Sequence, residues 1–499
     1  MAIASCVCVW PWLSLSVIPT QDSPAHLALV SAMRHLGEEG HVLNEAFTWG
    51  QFPAPNSLYY ILGLALAPLT GLLAAERIIT AIVLLSLPWS VFAFLAAFER
   101  NRWFSFLSFP LAVQWVFTEG FMDYCLGIPL VLLALALQRI YVSGRSRRWA
   151  AGIGLLGAVI FITHVQTFAT WAVGALILHL MTLRPRLGRH NRFFLISECL
   201  LMAGPALLLL GLWIAGKGGE LVAKINPAEF VVVGLDHKLE HFLDNTILLL
   251  HGTDGSGKIA MAWVITALVC WLAVRVGPES SKDAQDTDRA AGLFPHIFLL
   301  LMLIFYAIAP QSFGLYYNLY TRMPSFILVL ISIIIVPPMP RDRRRRRHML
   351  LAVPLLACVL YTAVVYHGAL KTWEKYTDGF WEVLSHAPGR TSLCYYPEER
   401  ETGFASLTWR HLGQYHTVVN EGLTSFTFAN HPGRLIVQKE PGYDFEYVKS
   451  DTLKDKQRIK PYDLLLQVGT TRLEEKKYKK RFALIARKNL WSLYQVTIK

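Results

Sequence analysis

The chain has 499 residues and a mass of 56.3 kDa, with 54% hydrophobic residues, 16% charged residues and a mean hydropathy of +0.39. A soluble domain carries about 25% charged residues, so this composition excludes an ordinary soluble globule and calls for a bilayer around much of the chain. The net charge of +12 would suit a nucleic-acid binder, but the basic residues sit in short loops between apolar runs. The positive-inside bias accounts for them there, and no nucleic-acid partner is expected.

Taken in chain order, apolar runs fall near residues 2–18, 57–74, 78–98, 103–118, 124–142, 149–165, 167–183, 193–215, 259–276, 292–310, 324–340 and 349–367. Most approach the roughly 20 residues that a helix needs to cross about 30 Å of hydrocarbon. The first run lacks a basic leader and a small-residue cleavage site, so it reads as a retained span. Basic residues punctuate the runs at Arg100 and Arg102, Arg145–Arg148, Arg184–Arg192, Arg275–Arg289 and Arg341–Arg347. Counting spans places all five clusters on one side, which is then cytoplasmic. The segments holding Glu119 and Asp123, Lys217–Lys258 and Gln311–Arg322 fall on the other side, with everything after about residue 368. The count closes only if 57–74, which contains Pro68 and Gly71, is a juxtamembrane or re-entrant helix. That leaves about 11 transmembrane helices and external loops at 19–77 and 216–258. The N-terminus is then cytoplasmic.

Beyond residue 368 charge rises and the apolar runs shorten. Segment 370–386 reads as a helix leaving the membrane, and 435–437, 464–468, 482–486 and 491–496 read as strands. The expected division is therefore a transmembrane domain at 1–367 and an α/β domain at 368–499. Seven cysteines show neither a disulfide framework nor zinc spacing.

The first external loop opens with Gln21-Asp22-Ser23-Pro24-Ala25-His26, directly after the first span. Pro53, Pro55, Asn56 and the pair Tyr59-Tyr60 follow. The next external loop is short and holds Glu119 and Asp123. Asp22 can be read as an N-cap with proline in the first turn, or as a general base; the two are compatible. His26 lies one helical turn from Asp22, and His164 sits at an external helix end. Arg322 follows the tyrosine-rich stretch holding Tyr316, Tyr317 and Tyr320, just before a span. That arginine suits a phosphate, and also a snorkelling interfacial position. The tyrosines suit a substrate groove or an aromatic belt.

This arrangement resembles the GT-C superfamily of membrane glycosyltransferases, in layout over the whole chain and in motif over short stretches. The resemblance matches Asp22 to the family's first-loop acid and Glu119 or Asp123 to its second-loop acid. It implies an all-α polytopic membrane fold with juxtamembrane helices and a C-terminal extracytoplasmic α/β domain, in the inner membrane. It also implies a polyprenyl-phosphate sugar donor, a glycan, lipid or protein acceptor, and contacts with membrane lipids. Asp22, Glu119 and Asp123 are the expected catalytic acids. His26, Tyr59, Tyr60, His164, Tyr316, Tyr317 and Arg322 are the expected substrate-binding residues. Glu119 and Asp123 are not adjacent, unlike the paired acids of metal-dependent oligosaccharyltransferases. No metal ligand set is assigned, and no cofactor is required, a divalent cation remaining open.

Two other motifs compete. Gly252–Lys258 resembles a phosphate-binding loop, but Ile259 stands where serine or threonine is needed and no strand precedes it. It reads as a flexible turn. His237-Lys238-Leu239-Glu240-His241 matches an inverted zinc-protease pattern, without a third ligand, and reads as a solvated helix over the membrane. A transporter or flippase of a lipid-linked substrate, or an inactive scaffold on the same fold, are the alternative functions. Transporters favour repeats and midplane sites; the chain shows no repeat and few charges inside its spans, Glu198 being the main exception.

Overall fold

The computed structural model describes the chain apart from residues 145–146, 188–191, 217, 220–229, 248, 251–252, 276–288, 313–317, 337–350, 431–433, 440–446, 476–477, 479 and 499. Among the described residues, six helices are long and apolar enough to cross a bilayer: Leu72–Ala97, Met122–Val142, Val165–Thr182, Ser197–Ala215, Gly255–Leu272 and Ala352–Leu384. Shorter apolar helices at Ala2–Leu13, Leu58–Thr70, Arg148–Thr163, Gly292–Ile308 and Leu319–Ile334 accompany them. Leu155, Leu200, Leu208, Ile265, Leu300 and Val364 stand exposed on these helices. So much outward apolar surface is what acyl chains would cover, and the protein is a multi-pass membrane protein.

The first helices build the end of the bundle that matters here. Helix α1 (Ala2–Leu13) is followed by α2 (Ser23–Arg34), the short α3 (Val42–Ala46) and strand β1 (Phe47–Trp49). Helix α4 (Leu58–Thr70) has 13 residues, about 20 Å at 1.5 Å per residue, which is short of the hydrocarbon thickness. It packs on α2 at Gly63, where a Cβ would come 2.8 Å from Val30. At Gly71 (φ +81°) the chain turns directly into α5 (Leu72–Ala97). The break therefore falls inside the run expected to extend to residue 74.

The run 103–118 departs from expectation. It forms 3-10 turns at Arg102–Ser108 and Pro110–Ala112 and then the one-turn helix α6 (Trp115–Thr118). Pro110 removes a backbone donor, and bulky aromatic residues crowd the segment. Such backbone survives at membrane depth only when protein covers it, and Phe104, Phe106, Leu107, Phe109 and Leu111 are all buried. The segment still returns the chain from the Ala97 end of α5 to the Asp22 end of the bundle. There Gln21 N donates to Thr118 O (2.8 Å) and Asp22 N to Glu119 O (3.0 Å). Helix α7 (Met122–Gly144) then leaves for the far side. At that far side Arg100 donates to the carbonyls of Ile334 (3.2 Å) and Val336 (2.8 Å), at the end of helix Leu319–Ile334.

The two competing motifs are both placed on helices. Residues 253–258 of the glycine-rich motif belong to helix Thr253–Arg275 rather than to a turn. His237 and Glu240 lie on the short helix Leu235–Glu240, with His241 as its C-cap.

Helix Ala352–Thr377 carries the chain out of the bundle, and Phe380–Leu384 continues it after a break. The C-terminal strands are β2 (Ser392–Pro397), β3 (Leu423–Thr424), β4 (Ile436–Gln438), β5 (Leu464–Val468), β6 (Phe482–Lys488) and β7 (Trp491–Val496). Five of them form a sheet of order β3-β2-β5-β7-β6. β2 runs parallel to β3 and β5, and β7 antiparallel to β5 and β6. Strand alternation splits its faces. Leu393, Tyr395, Leu464 and Leu466 join a core shared with Leu27, Tyr59 and Phe117, whereas Cys394, Tyr396 and Leu465 face a separate cluster. The sheet is thus packed onto the juxtamembrane helices. Strand β1 of the first loop also pairs antiparallel with β4, with Thr48 opposite Val437.

Candidate active site at the Asp22 end of the bundle

Asp22 occupies the N-cap position of α2, but its carboxylate makes no capping hydrogen bond. The helix start is served by proline in its first turn, so the side chain is released for other contacts. Gln21 Nε2 donates to Asp22 Oδ1 at 3.1 Å. His411 Nδ1, from the C-terminal region, stands 3.2 Å from the same oxygen. That approach lies off the line of a well-aligned hydrogen bond, so it is a close polar contact. Asp22 is almost fully buried at 6% exposure. Burial pushes its pKa up, but the contact and charge of His411, with help from His26 and Gln21, hold it below the usual carboxylate range.

Glu119 is held beside Asp22 by the backbone bonds between the two loops. Gly120 makes this approach possible: it has φ +83°, and a Cβ there would lie 2.6 Å from Asp22 N. Burial first, and then the neighbouring charge of Asp22, push Glu119 up to about 8, against the opposing pull of Arg410 and Arg322. Asp22 is therefore a carboxylate at neutral pH, and Glu119 is a carboxylic acid able to donate. Two acids whose environments drive their pKa values apart are a pattern of acid–base sites.

Asp123 has a different setting. Its Oδ1 accepts from Tyr59 N at 2.8 Å, so it caps the first turn of α4 from another helix. Tyr59 in turn contacts Ser23 Oγ (3.3 Å), and Ser23 donates to Glu76 Oε1 (2.9 Å). Tyr415 Oη reaches both Glu76 oxygens at 3.0 Å. This buried network fixes α2, α4, α5 and the C-terminal region to one another. Its members Glu76 and Tyr415 carry no motif visible in the sequence.

His26 Nδ1 lies 2.7 Å from Tyr60 Oη, and its ring stacks on Phe428 at 5.0 Å. Burial, the largest influence, brings His26 down to about 4, so it is neutral at pH 7 and serves as a hydrogen-bonding ring. Arg434 lies near both His26 and Tyr60. On the other flank, Arg322 Nη1 donates to His164 Nε2 at 3.0 Å, and Tyr124 Oη donates to Arg322 O at 2.9 Å. The Arg322 guanidinium lies 4.2 Å from the centre of the Phe121 ring, and its buried Nε has no hydrogen-bond partner among the described residues. An arginine with an open donor, desolvated over an aromatic face, is suited to an anion.

Of the expected site residues, the structure brings Asp22, His26, Tyr59, Tyr60, Glu119, His164 and Arg322 to one end of the bundle, with Asp123 behind them as a cap. Tyr316 and Tyr317 lie outside the described residues. His411, Arg410 and Arg434 were not foreseen: they come from the C-terminal region, where a short basic stretch such as Trp409-Arg410-His411 looks like ordinary surface.

Two side-chain groups among the described residues could hold a metal, and neither includes Asp22, Glu119 or Asp123. They are His35, His41 and Glu421, and His237, Glu240 and His241. The rings of His35 and His41 are stacked nearly parallel at 4.1 Å, so their in-plane lone pairs do not converge. His41 Nδ1 also accepts from Leu43 N, which leaves the proton of a neutral ring on Nε2, facing Glu421. In the other group His241 is engaged by Asp244 at 3.0 Å.

No protein-family model matches the chain, and no curated protein matches it. Solved structures do. The crystal structure of ArnT from Cupriavidus metallidurans bound to undecaprenyl phosphate superposes with a TM-score of 0.56 at 12% identity, covering 99% of this chain and 96% of that one. ArnT from the same organism in the apo state gives a TM-score of 0.56 at 10% identity, with the same coverage. ArnT is a GT-C glycosyltransferase, and a likeness spanning nearly the whole of both chains gives this protein the GT-C fold.

Proposed function

We propose that the protein is a membrane glycosyltransferase that moves a sugar from a polyprenyl-phosphate donor to an extracytoplasmic acceptor, with Asp22 as general base. The observation that carries this reading is the Asp22 carboxylate. It is buried, kept ionised, released from helix capping, and within electrostatic reach of both a neutral acid and an arginine with an open donor. ArnT, whose fold this chain shares, has been crystallised with undecaprenyl phosphate, and a lipid phosphate suits Arg322.

The chemistry follows from these positions. The acceptor hydroxyl oxygen attacks the anomeric carbon and passes its proton to Asp22. The bond from that carbon to the phosphate oxygen breaks, and its electron pair leaves with the lipid phosphate. Arg322 stabilises the charge that gathers there. A single displacement of this kind inverts the anomeric configuration. Glu119 stays protonated, so the site does not place a second full negative charge against the departing phosphate.

The regions 1–367 and 368–499 act as membrane and extracytoplasmic domains in this reading. The basic loops lie on the cytoplasmic side of an inner membrane, and the N-terminus lies with them. Acids gathered at one end of the bundle beneath a folded sheet suit an enzyme better than a carrier, whose substrate binds near midplane. The test is to incubate purified protein with a panel of polyprenyl-phosphate sugars and membrane acceptor extract, and to measure released polyprenyl phosphate. Donor-dependent release by wild type is expected. Strong binding of a donor with transport across vesicles but no release would overturn the reading in favour of a carrier.

A further inference from the structure

His411 is 2% exposed and lies far along the chain from Asp22, Glu119 and Arg322. Its ring stacks on Phe426 at 5.0 Å and 8°, and meets Phe428 edge-on at 5.5 Å. Neither ring nitrogen makes a directed hydrogen bond among the described residues. A histidine walled in by two phenylalanines would be costly to bury without a polar partner. The carboxylate of Asp22, 3.2 Å away, is the ion-pair partner that the structure gives it among those residues.

We propose that His411 is a positioning residue for Asp22, so that the C-terminal region completes the active site. This rests on the reading of Asp22 as the base. The phenylalanine walls fix the imidazole plane, and the imidazole fixes one oxygen of the carboxylate, leaving the other for the acceptor proton. Two further ties seat the C-terminal region on the same helices: Ser31 Oγ donates to Thr417 O (3.1 Å), and Tyr415 bonds Glu76. Undocking that region would strip Asp22 of its partner, so turnover is coupled to docking.

The groups that act on Asp22 are Glu119 from the second loop, Arg322 from helix Leu319–Ile334, His26 one turn along α2, and His411. Arg410 acts on Glu119, and Arg434 on His26. Removing His411 takes away the contact that favours the carboxylate, so the acid limb of the rate profile should move to higher pH.

The experiment uses full-length wild type, His411→Phe, His411→Gln and Asp22→Asn in detergent, with the donor that wild type turns over. The readouts are kcat and donor KM from pH 4 to 9. His411→Phe is expected to lower kcat at least tenfold near neutrality, move the acid limb up by about one pH unit, and leave donor KM within about threefold. His411→Gln, whose amide can set a polar N–H beside the same oxygen, should recover part of kcat and show a smaller shift. If His411→Phe does not fold, the His411→Gln limb decides alone, and an unmoved limb overturns the proposal. An unmoved limb in His411→Phe with a uniformly lowered rate overturns it too, and leaves His411 a docking residue. Full activity in Asp22→Asn is the distinct result that removes the base assignment itself.

Discussion

Replacing Gly120 with alanine adds one methyl group where the Asp22 and Glu119 loops meet. The new Cβ would sit 2.6 Å from Asp22 N, 2.8 Å from Ser23 N and 3.0 Å from Asp22 Cα. These are backbone atoms, which cannot swing aside as a side chain can. An ordinary carbon contact is about 3.5 Å or more, so the loops must separate by roughly 0.9 Å. The strand-like bonds Gln21 N to Thr118 O and Asp22 N to Glu119 O, now 2.8 and 3.0 Å, stretch or break. The positive φ of +83° adds a backbone penalty of about 1–2 kcal/mol for a residue with a Cβ. A displacement near 1 Å at a reacting group costs about 10²-fold in rate. Gly120→Ala should therefore lose about 10²-fold in kcat while remaining folded, with melting only a few degrees lower. The assay is steady-state donor turnover beside a thermal melt in the same detergent. A variant with wild-type stability and kcat within threefold of wild type would refute the claim that the Asp22–Glu119 juxtaposition sets the rate.

The ionisation of Glu119 gives a pH prediction. Its pKa is raised to about 8, so the protonated form dominates below that pH and the anion above it. Activity should fall as pH rises through about 8, because a second charge then opposes the leaving phosphate. Glu119→Gln, neutral at every pH, should keep activity near wild type at pH 7 and lose this alkaline fall; an unchanged limb in a pH–kcat profile would assign it to another group. Arg322→Ala should lower turnover about 10²- to 10³-fold. Arg322→Lys should restore only part of it, because the ammonium lacks the planar fork. Equal activity of the lysine variant and wild type in the donor-release assay would mean that the geometry of Arg322 is not used.

The helices were legible because hydrophobic runs and basic loops are local signals, and the place of Asp22 directly after the first apolar run is a local signal too. Strands β5, β6 and β7 matched their apolar runs for the same reason, and β4 began one residue later than expected. The run 103–118 was misread as a regular span because hydropathy registers burial and not backbone form; its 3-10 path depends on the aromatic walls around it. The role of Asp123 was hidden because its partner, Tyr59 N, belongs to another helix. Strand β1 and residues His411, Arg410 and Tyr415 were invisible for a similar reason. Each gains its contact only when the C-terminal region folds back on the first two loops and α5, and pairing over such a distance leaves no periodicity to read.

The most direct measurement is the split between donor binding and turnover in Asp22→Asn. Asparagine keeps the size of the side chain and its contact with Gln21, but it cannot accept the acceptor proton. The account predicts donor affinity within about threefold of wild type and a kcat lower by at least 10²-fold, the range for loss of a general base. Equal turnover by the two proteins, with the donor bound equally well, would contradict the central claim that the Asp22 carboxylate is the base.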